Sequence, residues 1–283
     1  MNYRHAFHAG NFADVIKHII LTRIICYLQR KDKAFRILDT HAGIGLYDLS
    51  SDEAKRSPEW QDGIARVMDA NLSKEVQELI APYLDVVKKL NPTGELKAYP
   101  GSPLLSRHLM REQDRLTATE LHPQDFPKLQ RHFKGDIQVK AIELDGWQAL
   151  VAHMPPKEKR GLVLVDPPFE KPDEYTRLGS GLFRAHKRFS TGVYALWYPV
   201  KNPKEIDVFA TQLYNTGIKK VLRTEFYIDK PTNPPKLYGT GMIVVNPPYT
   251  LVEELKLIFA ELKPILAPEG KGSYLIDWIY NED

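Results

Sequence analysis

The chain has a single cysteine, Cys26, in 283 residues. One thiol excludes an internal disulfide and a thiolate metal cluster, and it fits a reducing cytoplasm. Nothing approaches the roughly 20 consecutive apolar residues that a membrane span needs. The most apolar stretch, Ile16 to Leu28, is interrupted by Lys17, His18 and Arg23. A secretory leader is not expected either, because Arg4, His5, His8, Asn11 and Asp14 break up the N-terminus. The nine histidines include no His-x-x-x-His pair, so no metal site is expected. Internal repeats, low-complexity tracts, a hydrolase nucleophile elbow and a phosphate-binding loop are all lacking. With 43% hydrophobic and 27% charged residues, the chain reads as globular and cytoplasmic.

What is present is unevenly distributed. Net charge is only +3, but residues 1–36 carry seven Lys and Arg against two Asp. A basic front segment with His5, His8 and His18 suits a polyanionic partner; a solvated helix face is the plainer explanation.

Short β-type runs recur at 36–39, 116–120, 138–143, 161–166, 192–198, 220–228, 242–246 and 274–279, with helical patterns between most of them. Strand alternating with helix predicts an α/β fold with a mostly parallel, Rossmann-like sheet. A helix over about 13–28 precedes the first strand. The last strands, with little helix between them, predict an antiparallel edge. Between Gly45 and Leu96 no strand is expected, only helices at about 58–70 and 74–90, with Ser57 and Ser73 as N-caps. The chain therefore divides into a main domain, 1–46 with 96–283, and an inserted helical subdomain, 47–95.

The first site signal is Asp39-Thr40-His41-Ala42-Gly43-Ile44-Gly45, a strand ending in an acid followed by a Gly-x-Gly turn. Such a turn brings a ligand close to the backbone at the carboxyl edge of a parallel sheet. Asp48 stands where a dinucleotide fingerprint would have its third glycine, which lowers the odds of NAD or FAD. Later strands end in Glu120, placed to hydrogen-bond ribose hydroxyls, and in Asp145-Gly146, placed to accept from an adenine amine. Acids after three successive strands, without a phosphate loop, fit S-adenosylmethionine better than a nucleoside triphosphate.

The decisive motif is Asp166-Pro167-Pro168-Phe169. An adenine amine is a poor nucleophile because its lone pair is delocalised into the ring. Asp166 and the Pro167 carbonyl are placed to accept the two amine hydrogens, and two prolines stiffen the loop. Phe169 offers a face for an extruded base, at roughly 1–3 kcal/mol of stacking. A near copy, Asn246-Pro247-Pro248-Tyr249, follows the seventh run. The ligand crevice lies beside the first strand, so Asp166, after the neighbouring fourth strand, is favoured and Asn246 is read as a turn near the sheet edge.

Tyr3-Arg4-His5-Ala6-Phe7-His8-Ala9-Gly10-Asn11, continuing to Asp14, Lys17 and His18, resembles the N-terminal signature of the J-type bacterial 23S rRNA adenine-N6 methyltransferases. Leu38–Gly43, Tyr99–Pro103, Thr119–Pro123, Asp145-Gly146, Asp166-Pro167-Pro168 and Tyr194–Pro199 follow in the same order, so the resemblance spans the whole chain. Phe169 departs from it, because the family usually has tyrosine there. The resemblance implies a class I methyltransferase fold with a small inserted helical subdomain. It also implies S-adenosylmethionine contacts at His18, His41, Ser102, Glu120, Asp145, Gly146 and Asp166, with Asp166 catalytic.

The expected reaction is methyl transfer to N6 of an adenine in 23S rRNA by a monomer. A DNA adenine-N6 methyltransferase shares the Asp-Pro-Pro-aromatic logic, and a non-catalytic RNA-binding protein on the same scaffold is a third reading. Residues 1–18 are expected to form a flap over the crevice. In it Tyr3 and His5 approach the target base, and Arg4 and Lys17 neutralise phosphates. The alternative is an N-terminal helix that merely packs on the sheet.

Overall fold

The computed structural model describes residues 4–281. After a single 3-10 turn at His5–Phe7, the helix α1 (Phe12–Gln29) leads into β1 (Arg36–Asp39). A short strand β2 (Leu46–Asp48) pairs antiparallel with β3 (Ala98–Pro100). Between them lie α2 (Asp52–Arg56), α3 (Ile64–Met68) and α4 (Lys74–Leu90). The remainder alternates: α5 (Ser102–Leu109), β4 (Arg115–Glu120), α6 (Phe126–His132), β5 (Val139–Glu143), α7 (Gly146–Ala152) and β6 (Gly161–Val165). Then come α8 (Glu174–Arg188), β7 (Val193–Val200), α9 (Pro203–Asn215), β8 (Val221–Tyr227), β9 (Gly239–Val245), α10 (Leu251–Leu266) and β10 (Ser273–Tyr280).

The main sheet has eight strands in the order β10-β8-β9-β7-β6-β1-β4-β5. The five from β7 to β5 are parallel, whereas β9 runs antiparallel to both its neighbours. This is the Rossmann-like architecture that the alternation predicts, and the last of the eight expected runs, β10, forms the antiparallel edge strand. One apolar layer packs α1, α4, α5 and α10 on one face, and a second packs α7, α8 and α9 on the other. Because parallel strands are covered on both faces, β6 is buried along its whole length.

Three local expectations are corrected. The stretch after Gly45 does contain a strand, β2, whose partner lies beyond Leu96. The helix expected at 58–70 is broken into a 3-10 turn at Glu59–Gln61 and α3, and Ser57 ends α2 rather than starting a helix. The break has a tertiary cause: Ile64 N–H donates to Gly10 O at 2.9 Å, and a Cβ on Gly63 would sit 2.1 Å from that same oxygen. Asn246 is not at the sheet edge, since β9 lies between β7 and β8. Ser73, by contrast, caps α4 as expected, its hydroxyl accepting from Val76 N–H.

Helix α1 is the centre of the fold. Asn11 caps it by accepting from Asp14 N–H at 2.9 Å. Fifteen of its eighteen residues are buried, including Lys17, His18 and Arg23. A helix apolar nearly all round must be enclosed, and here the sheet lies on one side and α4, α5 and α10 on the others. Residues 12–18 are therefore the first two turns of a core helix, so the expected flap is at most the segment before Asn11. Ile20 is wholly buried within this apolar layer. Ile20→Ala should lower unfolding free energy by about 2–5 kcal/mol in a denaturant titration.

Candidate active site

The carboxyl ends of β1, β4, β5 and β6 share one edge of the sheet. Above them lies a cleft enclosing about 1140 Å³, open solvent included. His18, His41, Ser102, Glu120, Asp145, Gly146 and Asp166, all singled out from sequence, line it. So do His5 and Lys17.

The turn after β1 needs glycine at two places, with φ +61° at Gly43 and +85° at Gly45. Glu120 secures it from the next strand: one carboxylate oxygen accepts from Gly43 N–H at 2.9 Å, the other from His122 N–H at 2.7 Å. Burial raises the Glu120 pKa, against those two backbone donors. Gly146 lies against the same turn, where a Cβ would be 2.3 Å from Thr40 O and 2.7 Å from the His41 ring. Asp145 caps α7 with Oδ1, accepting from Trp147 N–H at 2.8 Å and Gln148 N–H at 3.0 Å.

Ser102 does not cap α5; Gly101 holds that position. The buried Ser102 hydroxyl instead donates to Asp39 Oδ2 at 2.6 Å. His41 is pushed down to about 4 by burial and is neutral at working pH. Thr40 spends its one hydroxyl proton on Leu164 O at 3.0 Å, so His41 Nδ1 must donate to Thr40 Oγ1, 2.8 Å away. That leaves His41 Nε2 as an acceptor.

Asp166, just past β6, meets Lys17 across 149 residues: Lys17 Nζ donates to its Oδ2 at 2.6 Å. Asp14 takes the same ammonium at 2.7 Å. Asp14 also accepts from Gly10 N–H at 2.9 Å, and its Oδ2 lies 2.8 Å from His5 Nε2. Burial alone would lower the Lys17 pKa, but the two carboxylates outweigh it and hold the ammonium charged. Burial likewise favours neutral Asp14, yet His5 and Lys17 hold it well below the usual carboxylate range. Lys17 is only 4% exposed. The expectation that it neutralises RNA phosphates is therefore corrected; its charge is spent on two carboxylates. Arg4 is likewise engaged, 3.0 Å from Glu53. Tyr3 lies outside the described residues.

Phe169 sits at φ +50°, uncommon for an aromatic residue and the kind of strain that clusters at functional loops. Its ring packs edge-on against Tyr175 at 5.0 Å and Trp197 at 5.8 Å rather than lining the cleft. The competing Asn246 loop is settled by strand direction: β9 ends beside the start of β7, Val245 opposite Tyr194, on the other edge of the sheet. There Asn246 Nδ2 closes a turn on Ser190 O and Gly192 O, each at 2.8 Å.

Sequence reasoning passed over Glu174 and Arg177, which also line the cleft. Arg177 donates to Glu174 at 2.8 Å and lies 4.8 Å above the Trp147 ring. Their i, i+3 spacing on a helix resembles any surface ion pair, and nothing local marks it as part of a site. Among the described residues no helix is long and apolar enough to cross a membrane.

A Gly-x-Gly turn over β1, acids closing the next two strands and an Asp-Pro-Pro loop after β6 together make this a class I methyltransferase. A family model described as "Ribosomal RNA large subunit methyltransferase D, RlmJ" matches residues 32–280. Proteins named "Ribosomal RNA large subunit methyltransferase J" from Escherichia coli K12 and Haemophilus influenzae are 43% and 44% identical to the chain, over 100% of each sequence. The crystal structure of Legionella pneumophila protein LPL1258 superposes with a TM-score of 0.87 at 37% identity, covering 96% of this chain and 98% of that one. The chain belongs to the RlmJ family of large-subunit ribosomal RNA methyltransferases.

Two measurements check the electrostatics. Lys17→Met strands two carboxylates, one of them fully enclosed, and should cost about 3–5 kcal/mol of stability in denaturant unfolding. Asp39 is pushed up to about 7 by burial, reinforced by the Asp166 charge and opposed by Ser102. An unfolded aspartate loses its proton near pH ~3.9, so this group keeps its proton longer in the folded state. Its contribution to stability therefore falls as pH rises between those two values, by at most roughly 1.4 kcal/mol per pH unit. Asp39→Asn should remove that fall, its stability relative to wild type growing from pH 4 to 7 and levelling off above.

Proposed function

We propose that the protein transfers a methyl group from S-adenosylmethionine to N6 of an adenine in 23S ribosomal RNA. The observation that carries this reading is Asp166-Pro167-Pro168 set at the lip of a cleft whose walls present acceptors rather than phosphate-binding groups. Glu120 and Asp145 suit ribose hydroxyls and an adenine amine. Of the three Lys and Arg side chains that line the cleft, Lys17 and Arg177 are already paired with carboxylates of the protein, which leaves Lys171. A buried ring nitrogen without a partner among the described residues, His18 Nε2, asks for a further polar ligand atom. Such walls fit a nucleoside that carries an amino acid and no phosphate.

The bound cofactor supplies an electrophilic methyl on a sulfonium. The protein's part is to make the amine nucleophilic. Lys17 donates to Asp166 Oδ2 and so orients the carboxylate, leaving Oδ1 for one amine hydrogen. The Pro167 carbonyl takes the other, and with both hydrogens held the nitrogen lone pair is localised toward the methyl. As N6 gains carbon it sheds one hydrogen as a proton, which Asp166 Oδ1 is placed to receive. His5, tied to Asp14, closes the cleft from the N-terminal side, and Tyr3 precedes it in sequence. Phe169 braces the loop through its aromatic neighbours.

The test is nucleoside mapping by mass spectrometry of large-subunit rRNA from cells with and without the protein. Loss of one N6-methyladenine is expected, and an unchanged pattern rejects the reading. Asp166→Ala should lower turnover about 10²–10⁴-fold with the fold retained. Asn246→Ala, on the opposite edge of the sheet, should methylate at the wild-type rate. Glu120→Ala should weaken cofactor binding by roughly 1–3 kcal/mol in calorimetry, because the ribose contact and the anchor of the glycine turn are lost together.

A further inference from the structure

A hydrogen-bonded file of buried aromatic side chains runs from the cleft into the segment between β2 and β3. His18 Nδ1 lies 2.9 Å from Tyr99 Oη, which lies 2.9 Å from Tyr83 Oη. The Tyr99 ring stacks on the imidazole, centroids 5.5 Å apart and planes at 21°, and the Tyr83 ring meets it edge-on at 6.1 Å. His18 belongs to α1, Tyr99 to β3 and Tyr83 to α4. All three are buried, at 1%, 0% and 0% exposure. Of the polar atoms in this file, His18 Nε2 has no hydrogen-bond partner among the described residues, and His18 lines the cleft.

Counting protons fixes the direction of the file. Each phenol has one proton to donate, and a neutral imidazole carries one on either nitrogen. Burial pushes His18 down to about 3, so the ring is neutral at working pH. Suppose Nδ1 holds the ring proton. It donates to Tyr99, Tyr99 donates to Tyr83, and the Tyr83 proton is left over, because that hydroxyl has Tyr99 as its one partner among the described residues. Suppose instead that Nε2 holds it. Tyr83 then donates to Tyr99, Tyr99 donates to Nδ1, and both phenol protons are used. The single unmatched group is then an N–H at the cleft. A buried hydroxyl without an acceptor is costly, so the second arrangement is adopted.

We propose that Tyr99, anchored by Tyr83, is a positioning residue that fixes His18 as the Nε2–H tautomer and so presents a neutral donor to the carboxylate of bound S-adenosylmethionine. The cofactor's identity rests on the reading given above. An Nε2–H offers nothing to the cofactor's ammonium, whereas a carboxylate is the strongest acceptor that molecule brings. Glu120 and Asp145, at the other side of the cleft, serve its hydroxyls and ring amine. The segment between β2 and β3 thus reaches the cofactor without touching it, through one tyrosine on α4.

The experiment pairs a spectrum with two ligands. In a ¹⁵N–¹H correlation of the histidine-labelled, cofactor-free protein, His18 should show the Nε2–H pattern, and Tyr99→Phe should turn it into a mixture of tautomers. By calorimetry, Tyr99→Phe should weaken S-adenosylmethionine about ten-fold, the scale of one charge-assisted hydrogen bond. Decarboxylated S-adenosylmethionine should bind the variant within about two-fold of wild type. Tyr83→Phe should keep the Nε2–H pattern and lose no more than about three-fold, which shows that a missing hydroxyl in this layer does not by itself ruin the site. An Nδ1–H pattern in wild type, or equal losses for the two ligands, overturns the proposal. Failure of wild type to bind either ligand overturns the cofactor reading and the carboxylate contact with it, while the spectrum still decides the tautomer.

Discussion

Everything at the catalytic edge depends on one buried ammonium. Lys17 joins Asp14, which gathers the chain from His5 to Gly10, to Asp166, which ends β6. A charge taken out of water is tolerated only where partners repay its desolvation, and here the repayment is geometric. The N-terminal segment, the first turns of α1 and the Asp-Pro-Pro loop must all be in place together. Losing Asp166 leaves Lys17 with Asp14 alone, and losing Lys17 leaves two carboxylates unanswered, which couples the order of the cleft to the order of the fold.

Much of this architecture was legible because it is local. The β1 turn, the acids after β4 and β5 and the eight strand positions announce themselves by residue type and spacing within a few residues. The choice between Asp166-Pro167-Pro168-Phe169 and Asn246-Pro247-Pro248-Tyr249 was legible by strand order, although the structural reason is stronger. An antiparallel β9 carries its C-terminal loop to the opposite edge, where no parallel strand ends. Strand direction follows from the pairing of whole strands, which no short window of sequence contains.

What stayed hidden was tertiary. A lysine near a helix N-terminus reads as a surface charge, and only the approach of Asp166 from 149 residues away makes Lys17 a core residue. The basic front segment misled for the same reason. Lys17 faces Asp14 and Asp166, Arg23 grips Glu254, Arg4 meets Glu53, and Arg36 meets Glu158. Summed charge over a window says nothing about which charges are already answered. Ser102 stands just before a proline, as an N-cap would, yet Gly101 takes the cap of α5 and the Ser102 hydroxyl donates to Asp39. The helix expected at 58–70 fails at Gly63, where the backbone of Gly10 leaves no room for a side chain.

Two of these contacts, Arg4 with Glu53 and Gly63 with Gly10, belong to the segment from 47 to 95. It holds six Lys and Arg against ten Asp and Glu, a poor balance for a surface meant to grasp RNA. Two of its acids are turned instead toward the N-terminal segment: Glu53 to Arg4, and Glu59 to both His8 and Asn11 at 2.9 Å. Its backbone receives Gly10, and its longest helix sends Tyr83 to the hydroxyl that orders His18. A segment that sets Glu53 and Glu59 against Arg4, His8 and Asn11, and a phenol behind the His18 imidazole, buttresses the catalytic edge. On that view RNA affinity must come from other faces of the protein, and the segment's contribution is to hold the groups of the cleft where chemistry needs them.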